Sequence, residues 1–282
     1  MKIKELLKTS IEDLKNIDID DANLKAKILL AEVLGKEKEY LLIHDNDELD
    51  AKVIDTYNKM IERLKSGEPV QYILNKQEFM GLNFYVDKNV LIPQPDTENI
   101  VEEVIAITEV LKKTKNELKI LDMCTGSGAI AISLAKYVEK TLIYASDISE
   151  NALKIAEENA TRNLVNVVFF KSDVFKNIIP AFQFDVIVSN PPYIETKVIP
   201  ELSKEVRSEP ELALDGGEDG LKFYREIIKN AKEYLTENGY LVFEIGYDQR
   251  ESVMTLLKDN GYKNIYSKKD LAGNDRVVVG QK

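Results

Sequence analysis

Apolar residues recur at two different periods along this chain, and the period changes near residue 74. In the first stretch Ile3, Leu6 and Leu7, and later Ala26, Leu29, Leu30, Val33 and Leu34, stand three and four positions apart. That spacing predicts one-sided helices. Gly35 and Gly67 punctuate them, and "SGEP" (Ser66 to Pro69) ends the last. Residues 1–74 therefore read as a small bundle of four or five short helices. Aromatic and β-branched residues around Gly81 predict a β-hairpin, which serves as a linker over 75–94.

From Pro95 helices and strands alternate. A helix is expected over Asp96 to Lys113, followed by the strand "KILDMC" (Lys119 to Cys124) and a helix after Gly128. The strand "LIYASD" (Leu142 to Asp147), a helix from Ser149 to Asn163 and the strand "VVFFKSD" (Val167 to Asp173) come next. A fourth strand runs into "VSNPPYIE". Tyr224, Ile227, Ile228, Ala231 and Leu235 mark a further helical face, with Gly239 as its stop and "YLVFEIG" (Tyr240 to Gly246) as a fifth strand. The tail "NIYSKKD…DRVVVG" fits a closing antiparallel pair. Alternating strands and helices imply a mainly parallel sheet covered on both faces. The expected catalytic domain, 95–282, is thus α/β and Rossmann-like, with a seven-stranded sheet and a reversed last hairpin.

Composition narrows the partners. The 44% hydrophobic and 31% charged residues are ordinary for a globular protein. No run approaches the roughly 20 apolar residues of a membrane span, and the start of the chain does not resemble a signal peptide. A single cysteine, Cys124, excludes an intrachain disulfide and fits a reducing cytoplasm. One histidine, His44, leaves no His/Cys cluster for a metal and reads as a surface or helix-end residue. The net charge of −11 argues against a nucleic-acid substrate, because phosphate binding needs a basic footprint.

The candidate chemistry falls at strand ends, where open α/β sheets bind ligands. "LDMCTGSGAIA" places Asp122 at the first strand's end, then Cys124, Thr125, Gly126, Ser127 and Gly128 on the way into a helix. Asp147 ends the second strand, where a carboxylate can accept ribose hydroxyls, and Asp173 ends the third. A dinucleotide site shares some of these features, but "CTGSGA" lacks the full G-x-G-x-x-G. Three successive acids would also repel a polyphosphate. They suit a cationic nucleoside such as S-adenosylmethionine, which carries a sulfonium, an ammonium and a ribose. The adjacent prolines of Asn190-Pro191-Pro192-Tyr193 lock φ and remove two N–H donors, so the fourth strand must stop at a rigid corner.

With these residues in order, the chain resembles class I methyltransferases that act on planar nitrogens. The blocks "GEPVQYILNKQEFMGLNFYVDKNVLIPQPDTE", "EPELALDGGEDGL" and "FEIG" are similar to those of the peptide chain release factor N5-glutamine methyltransferases, the HemK/PrmC family. The resemblance spans nearly the whole chain. It implies methylation of the glutamine side-chain amide in the Gly-Gly-Gln motif of release factors, with S-adenosylmethionine as donor, S-adenosylhomocysteine as product and no metal. It further implies that Asn190 and the Pro191 carbonyl accept the two amide N–H groups, that Pro192 stiffens the corner and that Tyr193 packs on the amide plane. The donor would lie on Cys124 to Gly128, with Asp147 on the ribose, Asp173 and Val174 beside the adenine, and Asn190 facing the methyl group. Cys124 stands where the family usually has Gly, and Gln94 where it commonly has Arg. Nothing near Cys124 in the sequence supplies the base that a nucleophilic thiol needs. The expected protein is a cytoplasmic monomer whose partners are release factors, without nucleic acid or membrane, and whose helical bundle recognises substrate. A glutamine methyltransferase acting on a ribosomal protein, or a DNA adenine-N6 methyltransferase, would share the corner; the latter should also carry a basic cleft and a target-recognition region.

Overall fold

A computed structural model describes residues 1–282. The chain divides into two compact units, one of Met1–Asn75 with Ser203–Ser208, the other of Lys76–Leu202 with Glu209–Lys282.

The first unit holds five helices: α1 (Ile3–Lys15), α2 (Ala22–Leu34), α3 (Tyr40–Ile43), α4 (Ala51–Lys65) and α5 (Val70–Leu74). Their apolar stripes meet in a core that includes Leu14, Leu29, Leu30, Tyr57 and Leu64, all essentially inaccessible. Gly35 ends α2 in the left-handed conformation and His44 caps α3, where its ring stacks on Tyr40. Helical periodicity gave no sign that 203–208 belongs here. Lys25 pairs with Glu205 at 2.5 Å, and the Ser208 hydroxyl donates to the Gly67 carbonyl at 3.0 Å.

The second unit opens with a hairpin of β1 (Gln77–Phe79) and β2 (Leu82–Phe84). Met80 and Gly81, between them, have φ of 50° and 67°, the two positive values that match a tight turn to strand twist. The expected helix from Asp96 begins as a short 3-10 turn, Pro95–Thr97, and continues as α6 (Glu98–Leu111). Then come β3 (Leu118–Met123), α7 (Ala129–Tyr137), β4 (Thr141–Asp147), α8 (Glu150–Arg162), β5 (Val168–Lys171) and β6 (Phe184–Ser189). After two short turns the chain forms α9 (Glu211–Leu214), α10 (Lys222–Tyr234), β7 (Leu235–Glu244), α11 (Arg250–Asp259), β8 (Lys263–Lys269) and β9 (Asp275–Gln281). The seven-stranded sheet has the order β5-β4-β3-β6-β7-β9-β8, and β9 alone runs against the direction of the other six. The order reverses between β3 and β6, which opens a crevice at their carboxyl ends.

Gly239 does not end α10. The helix stops at Tyr234 and β7 starts at once, with Leu235 paired to Phe184 and Tyr240 to Val186. The intervening residues bulge, with Asn238 at φ 62°. The bulge has a cause in Asp185, a buried carboxylate on β6. It accepts from Lys115, from the Thr236 hydroxyl at 3.0 Å and from the Lys119 amide at 2.8 Å.

Glu209 is a second buried acid. It accepts the Ile92 amide at 2.8 Å, and burial pushes its carboxyl from 4.5 up to about 7. The folded state therefore holds this proton more tightly than the unfolded one. Its contribution to stability is full below about pH 4.5 and is lost as pH rises through 7. Glu209→Gln keeps an acceptor for Ile92 and removes the titration. Denaturant melts at pH 5 and pH 8 should show a smaller stability loss in the variant, by on the order of 1–3 kcal/mol.

Candidate active site

Loops from four parallel strands converge on one cavity of about 260 Å³. Residue Cys124 leaves β3 at φ 62°, Gly126 follows at 55° and Gly128 at 83°. Side chains rarely adopt this region, so Cys124 strains a position that glycine would occupy freely. Gly126 is open around its missing Cβ, whereas a Cβ on Gly128 would come within 2.8 Å of Ile132 and 3.1 Å of Ala156. One glycine lets the loop turn beside the cavity; the other lets α7 pack close to α8.

Buried carboxylates hold this loop. Asp122, fully buried, accepts from the Thr125 hydroxyl at 2.6 Å and from the Ala131 amide at 3.1 Å. Burial pushes it up to about 7, and its Oδ1 has no partner. Asp147, also raised by burial, accepts the Gly126 amide and the Ser149 amide, each at 2.9 Å. The Thr125 amide donates to Ser146, and Asn159 on α8 donates to the Ser127 carbonyl, both at 3.0 Å. Burial pushes the Cys124 thiol far up, which keeps it protonated and unreactive.

Beyond β5, Asp173 pairs with exposed Lys176, and Val174 sits at φ 49°, an outlier for a β-branched residue. The Ser172 hydroxyl holds that turn by donating to the Val174 carbonyl at 2.7 Å.

The proline corner is cradled from behind. The Ile194 amide donates to Leu214 at 3.0 Å, and the Gly216 amide returns a bond to Ile194 at 2.8 Å. A Cβ on Gly216 or Gly220 would strike the Tyr193 backbone at 2.7 or 2.4 Å. Gln249 donates to the Tyr193 carbonyl at 2.9 Å. Gly216 and Gly220 of "LDGGEDGL" are thus explained by backbone approaching backbone. Tyr193 is half-buried with its hydroxyl turned to Glu244, and burial holds that hydroxyl protonated.

Of the expected site residues, Cys124, Gly126, Asp147, Asp173, Val174 and Asn190 line the cavity together, and Pro192 joins them. Asp122, Thr125, Ser127 and Gly128 do not line the cavity, nor do Pro191 and Tyr193 at the corner. Lys222 and Phe223 also line it and were missed. Lysine and phenylalanine at a helix start carry no distinctive sequence signal; only the preceding glycine block pointed there. The structure gathers no His, Cys, Asp and Glu side chains in a metal-binding arrangement. Two carboxylates, one ammonium and apolar walls suit a zwitterionic nucleoside.

Residues 5–74 match a family model described as the PrmC N-terminal domain, and 105–206 one described as the methyltransferase small domain. A curated relative from Clostridium acetobutylicum, named release factor glutamine methyltransferase, is 40% identical over 99% of this chain and 98% of its own length. The chain belongs to the release factor glutamine methyltransferase family. A Vibrio cholerae relative of the same name is 39% identical over 99% of this chain and 96% of its own. The fold is shared with the Thermus thermophilus 16S rRNA N2 G1207 methyltransferase in complex with AdoMet and guanosine. That match has a TM-score of 0.52 and 16% identity over 73% of this chain and 49% of that one. S-adenosylmethionine is the donor in this family of class I methyltransferases.

Asp147→Asn keeps the size of the side chain and one acceptor oxygen for the loop while removing the charge. Donor binding measured by calorimetry should weaken by roughly 1.5–3 kcal/mol, the scale of a hydrogen bond to a charged group. The melting temperature should fall as well, because the carboxamide can accept only one of the Gly126 and Ser149 amides that the two carboxylate oxygens hold. Unchanged donor affinity would remove Asp147 from the donor site.

Proposed function

We infer that this chain methylates the side-chain amide nitrogen of the glutamine in the Gly-Gly-Gln motif of peptide chain release factors. The observation that carries the reading is Asn190, fixed at the corner after β6 and lining the same cavity as Asp147 and Asp173. S-adenosylmethionine supplies an electrophilic methyl group on a sulfonium. Asp147 is the acceptor for its ribose hydroxyls, Asp173 and Val174 flank the adenine, and Lys222 is a cation for its carboxylate.

An amide nitrogen is a poor nucleophile because its lone pair is delocalised into the carbonyl. Oδ1 of Asn190 and the carbonyl of Pro191 accept its two N–H groups, which orients the nitrogen and favours positive charge developing there. Neither acceptor is a strong base, so the proton leaves after methyl transfer. The prolines supply rigidity and no competing donor. Tyr193, braced by Gly216 and Gly220, walls the substrate amide. The substrate is a translation factor, so the activity belongs in the cytoplasm; no helix is long and apolar enough to cross a membrane.

A single glutamine side chain offers too little surface for discrimination, so remote contacts must position it. The helical unit carries no donor motif, and we assign it part of that recognition. Its two most exposed large apolar residues are neighbours on α3, Leu42 at 67% and Ile43 at 78%. In the unit's own core they have no role.

Two kinetic comparisons test the reading. Asn190→Ala should lower turnover on release factor by on the order of 10²-fold while changing donor affinity much less. Near wild-type turnover would overturn the amide-acceptor role. Leu42→Ser with Ile43→Ser should slow methylation of intact release factor about tenfold, a loss of roughly 1.4 kcal/mol of remote binding. The rate on a short Gly-Gly-Gln peptide should stay close to that of the parent protein. Equal losses on peptide and protein would remove α3 from recognition.

A further inference from the structure

An asparagine side chain has two ends of nearly equal shape and opposite polarity. Only Oδ1 can accept an N–H from the substrate amide; Nδ2 in its place would set donor against donor. Something must therefore decide which way Asn190 faces. Its Nδ2 lies 3.5 Å from the Thr97 hydroxyl oxygen, a long contact. A threonine hydroxyl both donates and accepts, so Thr97 alone leaves the choice open.

Behind these two residues lies Glu244, at the end of β7 and 3% exposed. Its carboxyl is faced by the Thr97 hydroxyl, the Asn190 amide and the Tyr193 hydroxyl. Oε2 completes no hydrogen bond. The charged groups around it are Arg276, which favours the carboxylate, and Asp96, which opposes it. Arg276 is itself shared between Asp96 at 3.0 Å and Asp270 at 3.2 Å. Tyr224 approaches from α10 but donates to the Glu244 backbone carbonyl at 2.8 Å.

An ionised carboxylate only accepts. We propose that Glu244 is a positioning residue which, through the Thr97 and Tyr193 hydroxyls, fixes the end of the Asn190 amide that faces substrate. With the Thr97 and Tyr193 protons directed at Glu244, the Thr97 oxygen is left to accept from Nδ2. Nδ2 is turned toward Thr97 and Glu244, and Oδ1 is left for the substrate N–H. The same contacts orient the Tyr193 ring. This inference rests on the reading of Asn190 as the amide acceptor.

Protonation of Glu244 adds a donor to the cluster and removes the bias. Burial pushes this carboxyl up to about 7, so the bias is present above that pH and is lost as pH falls through it.

The test uses the full-length protein, release factor and saturating S-adenosylmethionine, with calorimetry of donor binding and thermal melts as controls. Glu244→Gln, which can donate at any pH, should lower kcat by on the order of 10²-fold with little change in donor affinity. The wild-type fall in kcat below pH 7 should be absent from the variant. Thr97→Val should lose a similar factor, and Thr97→Ser, which keeps the hydroxyl, should recover most of it. Should Glu244→Gln fail to fold, the valine and serine pair at Thr97 carries the test. Wild-type kcat in Glu244→Gln, or equal kcat in Thr97→Val and Thr97→Ser, overturns the inference if Asn190→Ala remains impaired. If Asn190→Ala is itself active, the underlying amide reading fails instead.

Discussion

Burying a carboxylate is unfavourable unless hydrogen bonds replace the lost water, and the architecture around the cavity depends on this exchange. Asp122 binds the glycine loop to the first turn of α7, and Asp147 binds the same loop to the start of α8. Glu209 anchors the segment at Ile92, while at the opposite end of the sheet Asp185 joins the start of β6 to Lys119 and Thr236. Each acid accepts a backbone amide that would otherwise be left without a partner at a strand or loop end. Loops tied this way hold their shape without large side chains, which leaves the space in front of them for a ligand.

Two backbone positions on the cavity wall are held against their preference. Cys124 and Val174 both adopt positive φ, in the loops that follow β3 and β5. Each costs about 1–3 kcal/mol for a residue with a Cβ, and persists only because surrounding contacts over-determine it. For Cys124 those contacts are Asp122 and Asp147 acting on the loop it begins. For Val174 they are the Ser172 hydroxyl and the apolar core on which its side chain packs. Strain therefore collects on the wall of the cavity that Cys124 and Val174 line, and the preorganised loop is its benefit.

Much of this was legible in the sequence because the decisive signals are local. Helical spacing located the bundle, "FMGL" the hairpin turn, and alternating runs the parallel sheet. Gly126, Gly128, Asp147, Asp173 and Asn190 stand out because each lies at a strand's carboxyl end or on the loop that leaves it. What could not be read depends on partners distant in the chain. Gly239 resembles a helix stop, yet it sits in a bulge organised around Asp185. Residues 203–208 carry no helical pattern, and only pairing with Lys25 and Gly67 shows which unit they join. Asp122 reads as a ligand-binding acid, whereas its burial makes it a support. Glu244 and Thr97 sit in motifs that the sequence offers as resemblance, with no hint that the two side chains face each other across Asn190.

The central claim is that the corner at Asn190 presents a glutamine amide nitrogen to a sulfonium methyl. Tandem mass spectrometry of release factor, incubated with this protein and methyl-labelled S-adenosylmethionine, tests it most directly. The account requires one labelled methyl, on the side-chain nitrogen of the glutamine in Gly-Gly-Gln. Label on another residue, or an unmodified factor in the presence of a donor-binding protein, would contradict it.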